Sequence, residues 1–339
     1  MPPLSSRPVP APHGAPLPAA ATDLAELAVV VRNGFPESRH FGILSALDAD
    51  GAPALELGDP TTAILPRSAA KAFQAIACLR AGADLRDETL AIAAASHPGG
   101  DEHVAAARAI LSSVGLGEEA LQCPAAMPRD EVALARAHRD GAPPRRLWFN
   151  CSGKHAAMLA ACVVNGWDTA TYRDPSHPLK RLVRDTLEEF AGPVSHVAVD
   201  GCGAPLFGIT VRGLALAFHR LVTADPESDA GRVVSAMRGH PHLVAGPGHD
   251  NTELMRLLPG FIVKGGAEGV LAVAAPSGEA VALKVADGAD RATTLVALEA
   301  LAGIGVDVRA AAALRFVPVL GGGDPVGRIV PGAAFPANS

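Results

Sequence analysis

Lysine is almost missing from this chain: 339 residues hold five, against 24 arginines. No Lys/Arg-rich run occurs, and the net charge is −6. Nucleic acid and anionic membranes both call for a basic face, so neither is an expected partner. A small polar substrate fits better. No apolar stretch is long and clean enough to span a membrane. The N-terminal residues are rich in Pro and Ala and lack the apolar core of a secretory signal, so residues 1–22 are expected to be a disordered tail. The five cysteines (Cys78, Cys123, Cys151, Cys162 and Cys202) are odd in number and irregularly spaced. That argues against a disulfide framework and for a reducing, cytoplasmic compartment.

The scarcity of lysine gives weight to the lysines present. Where arginine supplies ordinary positive charge, a retained lysine marks a place for an amine that can lose its proton. Random survival under codon bias would leave five as well. They are Lys71, Lys154, Lys180, Lys264 and Lys284.

Strand patterns cover residues 26–33, 40–47 and 53–57, with a turn at Gly34-Phe35-Pro36-Glu37. Ala/Leu-rich stretches with helical spacing follow at 68–81, 87–95, 103–114, 129–139, 152–164 and 179–190. Residues 194–200 read as a strand that empties into Gly201-Cys202-Gly203. Helices return at 213–223, 228–238 and 251–258. Strands close the pattern at 261–264, 270–274 and 280–285, before a helix at 290–302. With strands at both ends and helices between, the expected fold is α+β. N- and C-terminal strands pair in one antiparallel sheet, and a helical lobe is inserted. Residues 23–310 then form a single catalytic domain, and 311–339 a loose, Gly/Pro-rich extension.

Three motifs carry chemistry. In Pro66-Arg67-Ser68-Ala69-Ala70-Lys71, Ser68 and Lys71 are three apart and share a helix face. A desolvated amine there can take the proton of a serine that is otherwise a weak nucleophile. An N-cap serine beside a solvated lysine satisfies the same pattern. Ala95-Ser96-His97 ends a helix, and Val263-Lys264-Gly265-Gly266 follows an apolar strand. Their order matches the S-x-x-K, S-x-N and K-T-G order of serine β-lactamases and penicillin-binding proteins. The third motif, Asn150-Cys151-Ser152-Gly153-Lys154-His155, pairs with Val199-Asp200-Gly201-Cys202-Gly203. Spacing alone selects Cys151, Cys202 and His155 as zinc ligands. Two buried thiols acting as small hydrophobes are the alternative. Glu37, Ser38 and His40 cluster near the first turn and face the cleft or cap that turn. His97 and His103 flank Pro98-Gly99-Gly100-Asp101, a loop of lid type.

Taken together, the motif sequence resembles the Rhizobium-type (class 3) L-asparaginases from about residue 26 to 305. The resemblance implies a β-lactamase/glutaminase-like fold and hydrolysis of L-asparagine to L-aspartate and ammonia. It implies two Ser–Lys pairs, Ser68 with Lys71 and Ser96 with Lys264, with Ser68 favoured as nucleophile. It implies zinc held by Cys151, Lys154 and Cys202, which puts Lys154 where spacing put His155. His155 and Asp200 would then contact substrate or order its waters, Arg67 would steer its carboxylate, and the protein would be a homodimer. The family pattern Ser-His-x-Gly-Glu is Ser96-His97-Pro98-Gly99-Gly100-Asp101 here, so Asp101 would have to replace the Glu one residue late. A glutaminase, a penicillin-recognising hydrolase and a catalytically silent ligand-binding homologue are the alternatives.

Overall fold

The computed structural model describes residues 20–335. Most of the expected tail therefore lies outside the described residues. Strands β1 (Ala25–Arg32) and β2 (Phe35–Leu47) open the fold as a hairpin. Its turn lies ahead of the expected 34–37 position. Arg32 pairs with Phe35, which leaves Asn33 and Gly34 as a two-residue turn with φ of 48° and 80°. Asn-Gly is the pair that tolerates such angles, and its twist matches the flanking strands. Strand β3 (Pro53–Leu57) pairs with the second half of β2.

After the short β4 (Ala63–Ile64) the chain enters its helical part. This comprises α1 (Lys71–Arg80), α2 (Asp87–Ala93), α3 (Asp101–Ser113), α4 (Glu131–Arg139), α5 (Ser152–Val164) and α6 (Pro178–Ala191). In α6, Leu179, Val183, Leu187 and Phe190 are buried at helical spacing while Arg181, Arg184 and Asp185 are exposed. Helix α1 is different: every residue from Lys71 to Leu79 is buried. It is the central helix of the lobe, packed by α2, α5, α6 and α8 (Asp229–Gly239).

Between α6 and α8 lie β5 (His196–Val199), β6 (Pro205–Thr210) and α7 (Val211–Val222). Strands β4, β6 and β5 make a small second sheet that the sequence analysis does not contain. Side chains of Thr210 and Ser228 cap α7 and α8 by accepting from the backbone N–H three residues on. Helices α9 (Pro241–Ala245) and α10 (Asp250–Leu257) lead back to the sheet. There the chain adds β7 (Ile262–Gly266), β8 (Val270–Ala274) and β9 (Ala280–Val285), then α11 (Thr293–Gly303). Helices α7 and α11 pack against β8 and β9. Every residue of β8 is buried, which is why this strand reads as an unbroken apolar run.

The expected loose extension is ordered through residue 335. Strands β10 (Val317–Gly321) and β11 (Asp324–Pro331) form a hairpin, and β11 pairs with β1. The glycines that suggest looseness have local duties. Gly322 and Gly323 form the turn with φ of 62° and 97°. Gly327 lies so close to the carbonyl of Val31 that a Cβ would collide. The main sheet is antiparallel throughout, in the order β10-β11-β1-β2-β9-β8-β7, with β3 on β2. N- and C-terminal strands thus share one sheet with the helical part inserted between them, which is the expected α+β layout. Among the described residues no helix is long and apolar enough to cross a membrane.

Candidate active site

The cleft lies where α1, the end of α2, the start of α5 and β7 meet. Residues Arg67–Ala70 form a 3-10 turn that leads into α1. Arg67 sits at φ 51°, in the left-handed region that costs a non-glycine residue energy. Gly266 packs against this turn, with no room for a Cβ beside the carbonyl of Pro66. Ser68 therefore stands at the mouth of the cleft, half-buried and held by backbone geometry. The cleft has a volume of about 630 Å³ and is lined by Ser68, Ser96, Asn150 and Lys264 among others.

Lys71 does not hydrogen-bond Ser68. Its Nζ lies 2.5 Å from the Ala95 carbonyl, 3.0 Å from Ser96 Oγ and 3.2 Å from the Asn150 carbonyl. The ends of α2 and the entry to α5 draw the amine inward, away from the turn that carries Ser68. Three acceptors occupy all three N–H groups of an ammonium. Lys264 approaches from β7, with Nζ 3.0 Å from the same Ser96 Oγ and 2.8 Å from the Gly265 carbonyl. Both lysines are at most 1% exposed. Burial first, then the charge of Lys71, pushes the Lys264 pKa well below its ordinary value. The two predicted pairs thus become one triad, with Ser96 between two amines.

Beside this triad lies the thiol cluster. Lys154 Nζ is 3.0 Å from Cys202 Sγ and 3.9 Å from Asp200 Oδ2. The ligand atoms of Cys151, Asp200 and Cys202 lie within 4.8 Å of one another. Gly153 lets α5 approach the backbone of Ile92 in α2, which brings Cys151 and Lys154 inward. The hydrogen bond from Cys202, working against burial, holds the Cys151 thiol well below its usual pKa; Lys71 and Lys154 add to this. For Lys154 burial opposes the charge, but Cys151, Cys202 and Asp200 together outweigh it and raise the pKa. Two thiols and one amine in a dry pocket have the nitrogen–sulfur chemistry that suits zinc. Zinc would have to displace the Lys154 proton, which couples metal binding to pH. The residues Cys151, Lys154 and Cys202 fit such an ion, and Asp200 joins them as a fourth donor.

The remaining candidates are placed as follows. Arg67 donates from Nε to Asp200 Oδ1 at 3.0 Å, and Glu268 lies 4.0 Å from it. Arg67 and Asp200 neutralise each other, and neither lines the cleft. His155 is fully buried, and its Nδ1 lies 2.6 Å from the hydroxyl of Tyr172. Burial pushes its pKa down to about 4. It does not line the cleft but lies beside the Cys202 thiol, and it is not among the grouped ligand atoms of Cys151, Asp200 and Cys202; its Nε2 has no hydrogen-bond partner among the described residues.

Asp101 does not replace the family glutamate in the cleft, since it starts α3 and accepts from Arg136 at 2.8 Å on the outside. The loop before it is not built as a lid. The Pro98 carbonyl accepts from Arg129 and Asp130, the His97 N–H donates to Asn150, and a Cβ on Gly99 would strike the backbone of Trp148 at 2.7 Å. Tyr172, the chain's single tyrosine, belongs to none of the motifs. Its rarity was the one available signal.

Comparison with known proteins assigns the chain to a family. A search of curated proteins gives no match. Among solved structures, a β-lactamase from Mycobacterium bovis is similar at 14% identity, covering 78% of this chain and 95% of that one, with a TM-score of 0.43. A simvastatin synthase mutant from Aspergillus terreus is similar at 12% identity, covering 72% and 86%, with a TM-score of 0.34. Likenesses this weak add nothing to the fold described above. The family model of L-asparaginase II matches residues 28–331, from β1 through β11. The chain therefore belongs to the L-asparaginase II family.

Proposed function

We propose that this protein hydrolyses L-asparagine to L-aspartate and ammonia by serine–lysine chemistry centred on Ser96. The observation that carries the reading is the convergence of Lys71 and Lys264 on one hydroxyl, each at 3.0 Å. A neutral Lys264 accepts the Ser96 proton, and the Lys71 ammonium, with its three acceptors, stabilises the oxygen left behind. Ser96 Oγ forms a bond to the side-chain amide carbon. The C–N bond then breaks, and the protonated Lys264 gives its proton to the departing nitrogen. Water, deprotonated by Lys264, cleaves the aspartyl ester and restores Ser96.

Ser68 lines the same cleft. No lysine reaches its hydroxyl among the described residues, so its role in this reading is to contact substrate. That assignment reverses the preference that the motif alone suggests.

The reading extends to the zinc-containing subclass, with Cys151, Lys154 and Cys202 as ligands. Zinc bound there would supply a Lewis-acidic anchor for the substrate amino group. A homodimer and a cytoplasmic location belong to the same proposal; the five free thiols support a reducing compartment. Ammonia release from asparagine and glutamine, and the absorbance change on ring opening of a chromogenic β-lactam, test the whole reading. It predicts turnover with asparagine. Turnover only with glutamine or the β-lactam assigns the chain to a rival hydrolase. Ligand-dependent thermal shifts without product would mean a silent binding protein.

A further inference from the structure

A substrate amide with a free carboxylate needs a cation that is not already neutralised. Arg67 does not meet that need, because Asp200 and Glu268 flank it. Arg291 does. It lines the cleft that holds Ser96 and Lys264, and among the described residues no carboxylate makes a salt bridge with it; Asp287 feels its charge but is joined to it only through His40.

Its guanidinium is nevertheless held in place. Nε donates to His40 Nε2 at 2.9 Å, and Nη2 donates to Ser38 Oγ at 3.2 Å. Because Arg291 always carries its protons, His40 must present a bare Nε2. The imidazole proton therefore sits on Nδ1, which donates to Asp287 Oδ2 at 3.1 Å. His40 is only 2% exposed, so this ring is a fixed support. The contacts use Nε and one N–H of Nη2. Both N–H groups of Nη1 and the second of Nη2 remain, which is the planar fork that pairs with a carboxylate. Ser38 and His40, near the first turn of the chain, thereby acquire a role.

We propose that Arg291, oriented by His40 and Ser38, is the carboxylate-recognising group of the cleft and selects amides that carry a free carboxylate. The inference rests on the asparaginase reading for its substrate. Its test also includes a binding arm that needs no turnover. Two amides serve as substrates: L-asparagine and β-alaninamide, the same molecule without its carboxylate. Arg291→Gln should lower kcat/KM for asparagine by about 10- to 100-fold, the range of one lost charge-assisted bidentate contact. It should leave β-alaninamide turnover unchanged. Ser38→Ala, a positioning change, should raise KM for asparagine a few-fold and leave kcat intact.

In the binding arm, calorimetry with L-aspartate should show a Kd raised by about 10-fold or more in Arg291→Gln. An unchanged preference for asparagine over β-alaninamide together with unchanged aspartate affinity overturns the inference. So does a loss of preference in Arg129→Gln, the other arginine lining the cleft, with Arg291→Gln unaffected. Loss of aspartate binding in Arg291→Gln of a protein that releases no ammonia would uphold the carboxylate site and overturn the hydrolase reading.

Discussion

Lys264 and Lys154 are equally buried and belong to adjoining clusters, yet their surroundings push them in opposite directions. Lys264 meets a hydroxyl, a backbone carbonyl and another amine, with no carboxylate in contact. Burial strips its charge. Lys154 meets two thiols and a carboxylate, which keep the charge in spite of burial. The first arrangement makes a base that is ready to accept a proton. The second makes a cation that only a competing cation, such as a metal, would displace. The contrast shows that the partners of a buried lysine, more than its depth, decide what chemistry it performs.

Mutations that strike the first cluster should have the largest effect. Ser96→Ala should reduce asparagine turnover to background, and Lys264→Arg should lower kcat by about 10²- to 10⁴-fold. Arginine keeps the positive charge but cannot accept the proton. If Lys264→Arg stayed within a few-fold of wild type in a steady-state ammonia assay, the base assignment would fail. The pH profile of kcat/KM should show an acid limb from Lys264. Its pKa is depressed, so activity is present above that pKa and lost as pH falls through it.

Changes in the second cluster should be milder and of another kind. Chelation, or Cys202→Ser, should raise KM for asparagine by about 10- to 100-fold while kcat persists. Complete loss of kcat on chelation would merge the two clusters into one catalytic unit and break the comparison.

The smallest effect is expected at Lys180, a third buried lysine. Among the described residues its Nζ hydrogen-bonds Met158 Sδ, at 2.8 Å, and lies 5.8 Å from the Tyr172 ring. Burial, then the charge of Lys154, pushes its pKa down to about 7. The unfolded chain binds a proton there up to the ordinary lysine pKa. The penalty is therefore full below about pH 7 and fades as pH rises toward about 10. Lys180→Met should raise Tm by roughly 2–4 °C at about pH 6 and by less at about pH 9. Thermal melts at both pH values check it, and an equal gain at both would show that packing alone is responsible.

The parts legible in the sequence were those with a local physical signal. Residues 152–164 and 270–274 were bounded correctly by apolar periodicity. The α+β layout followed from strand patterns at both ends of the chain. The Asn33-Gly34 turn has a local signal too, but so does Gly34-Phe35-Pro36-Glu37; in the fold Pro36 is tolerated at a bulge in β2. Strands β10 and β11 were hidden because glycines that permit turns and close strand contact look the same as glycines in a loose tail. In the site, the three segments bearing Ser68, Ser96 and Lys264 were legible, and so was the contact of Ser96 with Lys264; the partner of Lys71 was not. Spacing along one helix placed Lys71 with Ser68, whereas the acceptors that capture its amine, Ala95 and Asn150, are distant in sequence. His155 shows the same limit, because its partner Tyr172 belongs to no motif.

The central claim is that Ser96, between Lys71 and Lys264, forms the covalent aspartyl ester. Acid quenching of the reaction with L-asparagine, followed by protease digestion and peptide mass spectrometry, tests it most directly. Cleavage after Arg67 and Lys71 separates the two serines into different peptides. The account predicts the aspartyl adduct on the peptide that carries Ser96, and its disappearance in Ser96→Ala. An adduct on the Ser68 peptide that survives in Ser96→Ala would contradict it.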